Sequence, residues 1–357
     1  MFRAHNFGVG PACLPLPVIE QIREEMFDFK GKGMSIIEMS HRSPEFEEII
    51  SESEQLMREL MDIPDDYAVI FMQGGASAQF ALIPMNLMAE KKKAYYLDTG
   101  VWAGKAVKEA GRFGNAEVFA SGKQWNYTVI PDYGFRLEED ADYVHITSNN
   151  TTYCTRLSYL PDAGSMPICA DMSSCILSER INVSDYGLIY ASAQKNLGPA
   201  GVTAVIIRKD LLGRNANIPA IMNYAVHAEN GSLYNTAPVF SVYVMDLVLK
   251  WIKDSGGVIE MEKRNKAKAV ALYKCINDSW LFDCPIASGD RSMMNVSFVT
   301  GKPEIDDMFI EEAAKEDIVG IRANPCLGGM RASIYNAVSM NDVEALISFM
   351  RYFEKTH

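Results

Sequence analysis

The chain has 357 residues, of which 48% are hydrophobic, so it can bury a large core and is predicted to form two domains. Its formal net charge of -12 argues against nucleic-acid binding, which depends on basic surfaces. No apolar run approaches the roughly 20 residues of a membrane span, and no secretory signal is recognisable. The seven cysteines are scattered and odd in number, which indicates free thiols and a cytoplasmic location. The five histidines show no metal-ligand spacing, so we expect no metal.

Short apolar runs alternate with helical stretches through the first two thirds of the chain, which is typical of an α/β protein with a mainly parallel sheet. The predicted strands are 67–72, 94–98, 117–120, 143–147, 166–170, 187–191 and 202–208.

The remaining third of the sequence predicts two helices, 239–253 and 258–277, followed by the strands and helices of a second, smaller unit. We interpret the second helix as a bridge between domains. Strands at 295–300, 318–321 and 330–335 then alternate with helices at 304–316 and 341–355. We therefore predict a large domain of residues 16–257 and a small domain of residues 1–15 and 258–357.

Lys195 is the most informative residue, because it follows the apolar run 187–191 and precedes Gly198-Pro-Ala-Gly201. An amine at the end of a strand suits a Schiff base with the aldehyde of pyridoxal phosphate. This cofactor also needs an acid beside its pyridine nitrogen and donors around its phosphate, all at the carboxyl ends of parallel strands.

Asp171 is the candidate acid, since it directly follows the predicted strand 166–170 and lies 24 residues before Lys195. That separation fits a strand, a crossover and a second strand. A carboxylate at the pyridine nitrogen would keep the ring protonated. Asp171 before Met-Ser-Ser is an equally good helix cap, so both interpretations stay open.

The phosphate donors are expected at Gly74-Gly75, between the predicted strand 67–72 and the helical run 80–88. Glycines permit a tight turn, and the free N–H groups at a helix start attract a phosphate. A Gly-Gly turn commonly binds nothing, so this interpretation gains its weight from Asp171 and Lys195.

These features together resemble the phosphoserine aminotransferases, a class V group within the fold type I enzymes that depend on pyridoxal phosphate. The resemblance runs nearly end to end, and its lysine and C-terminal blocks are highly specific. The matching segments are 6–12, 39–42, Gly74-Gly75, Trp102, 171–174, 193–201, 234–238 and 328–336. The resemblance implies the aspartate aminotransferase-like fold, with a mainly parallel seven-stranded sheet in the large domain and a smaller α/β domain.

The resemblance also implies pyridoxal phosphate as the cofactor and a homodimer with shared active sites. Lys195 would bind the cofactor and shuttle protons, Asp171 would face the pyridine nitrogen, and Trp102 would stack on the ring. The other implied cofactor contacts are Ala76, Ser77, Thr151, Gln194 and, from the second subunit, Asn235 and Thr236. Without the resemblance, core packing would explain Trp102 equally well.

Three residues would hold substrate carboxylates according to the resemblance: His41, Arg42 and Arg331, with Arg42 reserved for glutamate. The planar guanidinium of arginine can donate two parallel hydrogen bonds to one carboxylate. Surface salt bridges remain the alternative for both arginines, and His41 alone would be a polar loop residue.

The implied reaction transfers an amino group from L-glutamate to 3-phosphohydroxypyruvate, giving O-phospho-L-serine and 2-oxoglutarate in serine biosynthesis. A related four-carbon ketoacid would give 4-phosphohydroxy-L-threonine in pyridoxine biosynthesis. Two departures concern the substrate phosphate: many relatives have His-Arg where this chain has Asn324-Pro325, and some have arginine in place of Ser77. We hypothesise that Arg322 supplies the missing charge.

Three alternatives remain open. The chain could be an aminotransferase for another acidic ketoacid, or a cysteine desulfurase, which shares the lysine signature and for which Cys326 would be the sulfur acceptor. Gln194 and Trp102 count against a desulfurase, which carries histidine at both places. The third alternative is a non-catalytic binding protein with the same fold.

Overall fold

The computed structural model describes residues 3–357. The strands of this part are β1 (His5–Asn6), β2 (Tyr67–Met72), β3 (Lys93–Asp98), β4 (Asn115–Ser121), β5 (Val144–Thr147), β6 (Asn149–Asn150), β7 (Thr155–Arg156), β8 (Ile168–Asp171), β9 (Leu188–Ser192), β10 (Thr203–Arg208), β11 (Asn295–Phe298), β12 (Ile318–Val319) and β13 (Met330–Ser333). The helices are α1 (Leu16–Glu25), α2 (Pro44–Met61), α3 (Gly75–Leu87), α4 (Val101–Ala110), α5 (Tyr224–Glu229), α6 (Val239–Asp254), α7 (Gly257–Asp278), α8 (Pro303–Lys315) and α9 (Met340–Thr356).

A seven-stranded sheet in the order β2-β10-β9-β8-β5-β3-β4 forms the centre of the molecule. Only β10 runs antiparallel to its neighbours, β2 and β9. The inner strands are buried along their whole length, which is why they appear in the sequence as continuous apolar runs. The predicted α/β class and the mainly parallel seven-stranded sheet are confirmed, with strand ends within two residues of those predicted.

Helices cover both faces of this sheet. One face packs against α2 and α6 through side chains such as Phe46, Met57 and Leu249. The other face packs against α3 and α4 through side chains such as Phe80 and Ile83. Two separate cores therefore hold the sheet between helical layers.

A third core lies outside the sheet, where α7, α8 and α9 pack against the two-stranded pair β11 and β13. Its centre is aromatic: the ring of Phe309 lies 5.2 Å from that of Phe282 and 5.1 Å from that of Phe353. The N-terminal segment joins this core, since Phe7 is buried in it and β1 pairs in parallel with β12. The division into a large domain of residues 16–257 and a small domain of residues 1–15 and 258–357 stays a prediction.

No helix within residues 3–357 is both long and apolar enough to cross a membrane.

A buried lysine on α7 fixes the segment that follows β13. Lys268 is 2% exposed, and its ammonium donates to the carbonyls of Ile334 at 3.0 Å, Tyr335 at 2.7 Å and Val338 at 2.8 Å. Burial lowers the pKa of Lys268 to about 7. The three bonds connect the bridging helix to the chain segment just beyond Arg331.

We predict that Lys268→Met lowers the free energy of unfolding by about 3 kcal/mol, because three buried carbonyl oxygens lose their donor. Urea denaturation followed by fluorescence measures the change. Lys266→Met is the matched control on the same helix, where an exposed lysine pairs with Glu262. We expect the control to change stability by less than about 0.5 kcal/mol, and equal effects of the two variants would contradict the role given to Lys268.

Candidate active site

A cavity of about 280 Å³ opens at the carboxyl ends of the parallel strands. Because such ends meet at one edge of a sheet, the residues that follow β2, β3, β5, β8 and β9 all reach it. The N-terminal segment and residues near β13 close the other side. The lining residues are Val9, Gly10, Gly75, Ala76, Ser77, Trp102, Asn149, Thr151, Thr152, Asp171, Ser173, Ser174, Ser192, Gln194, Lys195, Asn324 and Arg331.

The amine of Lys195 lies in this cavity and donates to the hydroxyl oxygen of Thr151 at 2.6 Å. Removal from water lowers the pKa of Lys195 to about 8, and the positive charge of Arg331 acts in the same direction. The carboxylate of Asp171 opposes both effects. A minor fraction of this amine, roughly a tenth at pH 7, is therefore unprotonated and can act as a nucleophile or base.

Asp171 ends β8 and is 6% exposed. One carboxylate oxygen accepts from the backbone N–H of Ser173 at 2.9 Å, so the side chain does cap the following turn. The same residue also lines the cavity. Asp171 can therefore be both a turn cap and a cofactor ligand. One carboxylate oxygen accepts from the turn, and the side chain also lines the cavity.

The start of α3 forms a cradle for an anion at the end of β2. Gly74 and Gly75 have φ angles of 96° and 65°, and a Cβ on Gly74 would lie 2.5 Å from the Cβ of Ala78, so glycine is required there. The first N–H groups of α3, on Gly75, Ala76 and Ser77, have no acceptor within the helix. They line the cavity where the helix dipole is positive, which suits a phosphate.

Two further side chains bring unpaired donors to the cavity. Trp102, in the first turn of α4, has a buried indole N–H without an acceptor among residues 3–357. Arg331, in β13, is 6% exposed and donates from Nη1 to the carbonyl of Thr151 at 3.0 Å. Its Nε is buried and has no partner in the same part of the chain. Arg331 can therefore still bind a carboxylate.

Four of the predicted residues do not line this cavity in the single chain: His41, Arg42, Asn235 and Thr236. Arg42 is exposed, and His41 has a buried Nε2 without a partner among residues 3–357. Asn235 donates to the side-chain oxygen of Gln73 at 3.2 Å, and Gln73 donates to the carbonyl of Thr236 at 3.0 Å. The roles of these four residues stay predictions.

The hypothesis about Arg322 gains no support, because its guanidinium pairs with Asp307 and is exposed to solvent. The sequence reasoning missed several polar lining residues, above all Asn149, Thr152, Ser173, Ser174 and Ser192. A signal was available for the first two, since a run of polar residues, 148–152, directly follows the buried strand β5.

The chain matches the family model described as aminotransferase class V over residues 4–346. It is 48% identical to the phosphoserine aminotransferase of Bacillus cereus over 356 residues, which cover 99% of both chains. The chain belongs to the phosphoserine aminotransferase family.

Solved structures of the family share the fold of this member. A phosphoserine aminotransferase studied for radiation damage of its Schiff base is 43% identical, with full coverage of both chains and a TM-score of 0.97. The enzyme from Trichomonas vaginalis, with bound pyridoxal phosphate, is 35% identical, with coverage of 98% of this chain and 100% of its own and a TM-score of 0.93. The aspartate aminotransferase-like fold predicted for this family member is thereby confirmed.

The lowered pKa predicts an unusual pH dependence for the reactivity of Lys195. In protein freed of bound cofactor, reductive methylation of Lys195 by formaldehyde and cyanoborohydride should reach half its maximal rate at a pH close to its pKa of about 8, because only the unprotonated amine reacts. An ordinary lysine would do so near about pH 10.4. Mass spectrometry of the Lys195 peptide after short labelling pulses measures this midpoint, and a value near that of an ordinary lysine would contradict the effect of burial.

Proposed function

We propose that this chain is the phosphoserine transaminase of serine biosynthesis. It would use pyridoxal phosphate to transfer the amino group of L-glutamate to 3-phosphohydroxypyruvate, giving O-phospho-L-serine and 2-oxoglutarate. The observation that carries the proposal is the amine of Lys195 in one cavity with Asp171, the start of α3 and Arg331. The identity of 48% to the Bacillus cereus enzyme supports the same reaction.

The donor set of the cavity fits pyridoxal phosphate. The N–H groups at the start of α3 and the amide of Gln194 suit the phosphate, since the Gln194 side-chain oxygen accepts from Ser192 and its NH₂ group stays available. The carboxylate of Asp171 suits a protonated pyridine nitrogen, and the indole of Trp102 suits the flat ring. When bound, the cofactor supplies an electron-accepting ring that stabilises the charge left at the substrate's α carbon.

Lys195 then acts as the base that removes the proton from the α carbon and returns it in the reverse half-reaction. The pKa of about 8 keeps enough of the amine unprotonated for this role. Thr151 restricts the position of the amine through the 2.6 Å hydrogen bond, and its carbonyl fixes Arg331 at 3.0 Å. One residue thus sets the distance between the base and the guanidinium that would hold the substrate's carboxylate.

The charge in one chain's cavity argues for a shared site. Among residues 3–357, Lys195 and Arg331 alone bring positive charge to it, against the negative charge of Asp171. The cofactor phosphate and the two acidic substrates need further donors. We therefore propose a homodimer in which the partner's Asn235 and the partner's Thr236 contact the phosphate, and in which His41 and Arg42 complete the substrate site.

The proposal also includes a second pathway and a cellular location. A four-carbon phosphorylated ketoacid fits the same donor set, so a role in pyridoxine biosynthesis is included in it. A cytoplasmic location is supported by the seven cysteines, all of which are free.

The reaction is tested by comparing acceptors with glutamate as the donor. We expect kcat/KM for 3-phosphohydroxypyruvate to exceed that for hydroxypyruvate and for oxaloacetate by about tenfold or more, because charged hydrogen bonds to the phosphate add to binding. Lys195→Ala should abolish transfer, and borohydride should attach the cofactor to Lys195 in the wild type. Lys266→Ala, an exposed lysine, is the control. Faster transfer to oxaloacetate would indicate another acidic ketoacid, and sulfide release from cysteine would indicate a desulfurase.

The shared site is tested by complementation. Co-expression of a Lys195→Ala chain with an Asn235→Ala/Thr236→Ala chain should restore about a quarter of the wild-type activity, since half of the dimers are hybrids and each hybrid has one intact site. The measurement compares the co-expressed protein with each variant alone, after the amounts of both chains have been made equal. Activity no higher than that of the double variant alone would show that these residues serve their own chain.

A further inference from the structure

A second cavity of about 260 Å³ lies directly behind the catalytic one. Asn149 lines both, so the two cavities share a wall. That wall is well ordered: the amide of Asn149 donates to the hydroxyl of Ser174 and to the side-chain oxygen of Asn295, each at 2.8 Å. An occupant of the rear cavity would therefore contact the support of the catalytic site without entering it.

The inner part of the rear cavity is mainly apolar. Ile146, Met172 and Ile176 are buried there, and Met172 directly follows the cavity acid Asp171. The hydroxyl of Ser148 is also buried in this region and has no hydrogen-bond partner among residues 3–357. Apolar walls of this size suit an aliphatic or thioether side chain.

The mouth of the rear cavity carries charges of both signs in equal number. Arg156 pairs with Glu179 at 3.2 Å, and both side chains are about a quarter exposed. Arg180 is exposed, and its guanidinium makes no ion pair in the described chain. Asp185 accepts from the amide of Asn182 at 2.8 Å through one oxygen only, so its second oxygen is free. The mouth can thus hold a carboxylate and an ammonium side by side.

We propose that the rear cavity binds a neutral α-amino acid with an apolar side chain. The side chain would fill the space beside Ile146, Met172 and Ile176. The carboxylate would bind the guanidinium groups of Arg156 and Arg180, and the ammonium would bind Glu179 and Asp185. This site is distinct from the proposed catalytic site, and its occupant would press on the segment from Met172 to Ser178 behind the acid of that site.

The test uses L-leucine and L-methionine, which are neither substrates nor products of the proposed reaction. Titration calorimetry of the holoenzyme should give saturable binding of one molecule per chain, with a dissociation constant below about 10 mM. Leucinamide and N-acetyl-leucine, which lack one charge each, should bind at least about fivefold more weakly. Absence of saturable binding of both amino acids would overturn the proposal.

Two variants separate the rear cavity from the catalytic one. Arg180→Gln changes an exposed side chain that folding does not need, and it should weaken leucine binding by about two- to fivefold. Arg331→Gln alters the catalytic cavity and should leave leucine binding unchanged. Arg112→Gln, in the turn after helix α4 and outside both cavities, is the control for lost surface charge. Loss of binding in Arg331→Gln with full retention in Arg180→Gln would place the ligand in the catalytic cavity and refute the rear site, whether or not transamination is observed.

Discussion

The geometry of the candidate active site depends on the alignment of β5, β8 and β9 at their carboxyl ends. Thr147 lies opposite Asp171, and Asp171 lies opposite Tyr190, so the three strands end at nearly the same level. Each strand is buried on both faces, and a slip of one residue would exchange the side chains that pack against the two different helical layers. A single cavity is lined by Thr151 just after β5, Asp171 at the end of β8 and Lys195 just after β9.

Placing an amine and a carboxylate in this cavity is unfavourable unless other groups fix them. Burial lowers the pKa of Lys195, and the hydrogen bond to Thr151 holds the amine in this desolvated position. Asp171 keeps one oxygen on a backbone N–H. The buried strands β8 and β9 therefore hold Asp171 and Lys195 close together in spite of the cost of removing both from water.

A buried network of amides and hydroxyls connects this cavity to the C-terminal core. Asn149 bonds to Asn295, and Asn295 donates to Ser333 at 3.0 Å and to the phenol of Tyr335 at 3.2 Å. That phenol donates to the carbonyl of Val9 at 3.0 Å, which brings in the N-terminal segment. Since fully paired buried networks favour one geometry, this network holds β13, which carries Arg331, against the segment that follows β5.

Local patterns in the sequence were sufficient to predict the strands, the lysine, the acid and the glycine turn, because each depends on neighbours within about 10 residues. Helix α2 also has a local signal, since Phe46, Ile49, Ser53 and Met57 follow helical spacing and are all buried. The Asn149 network could not be predicted, since its partners lie some 140 residues apart and meet only in the folded chain. The roles of His41 and Arg42 stay predictions, since neither residue lines the cavity of the single chain.

The departure from the family pattern at Asn324-Pro325 changes the charge of the cavity lining. Asn324 lines the cavity where many relatives carry a charged pair, and its side-chain oxygen accepts from the N–H of Cys326 at 3.0 Å. This bond leaves the NH₂ group of Asn324 as a neutral donor. Arg322 is occupied by Asp307 at the surface. A single chain therefore offers a neutral amide at this position, and in the proposed homodimer strong selection for a phosphate would draw on positive charge from the second subunit.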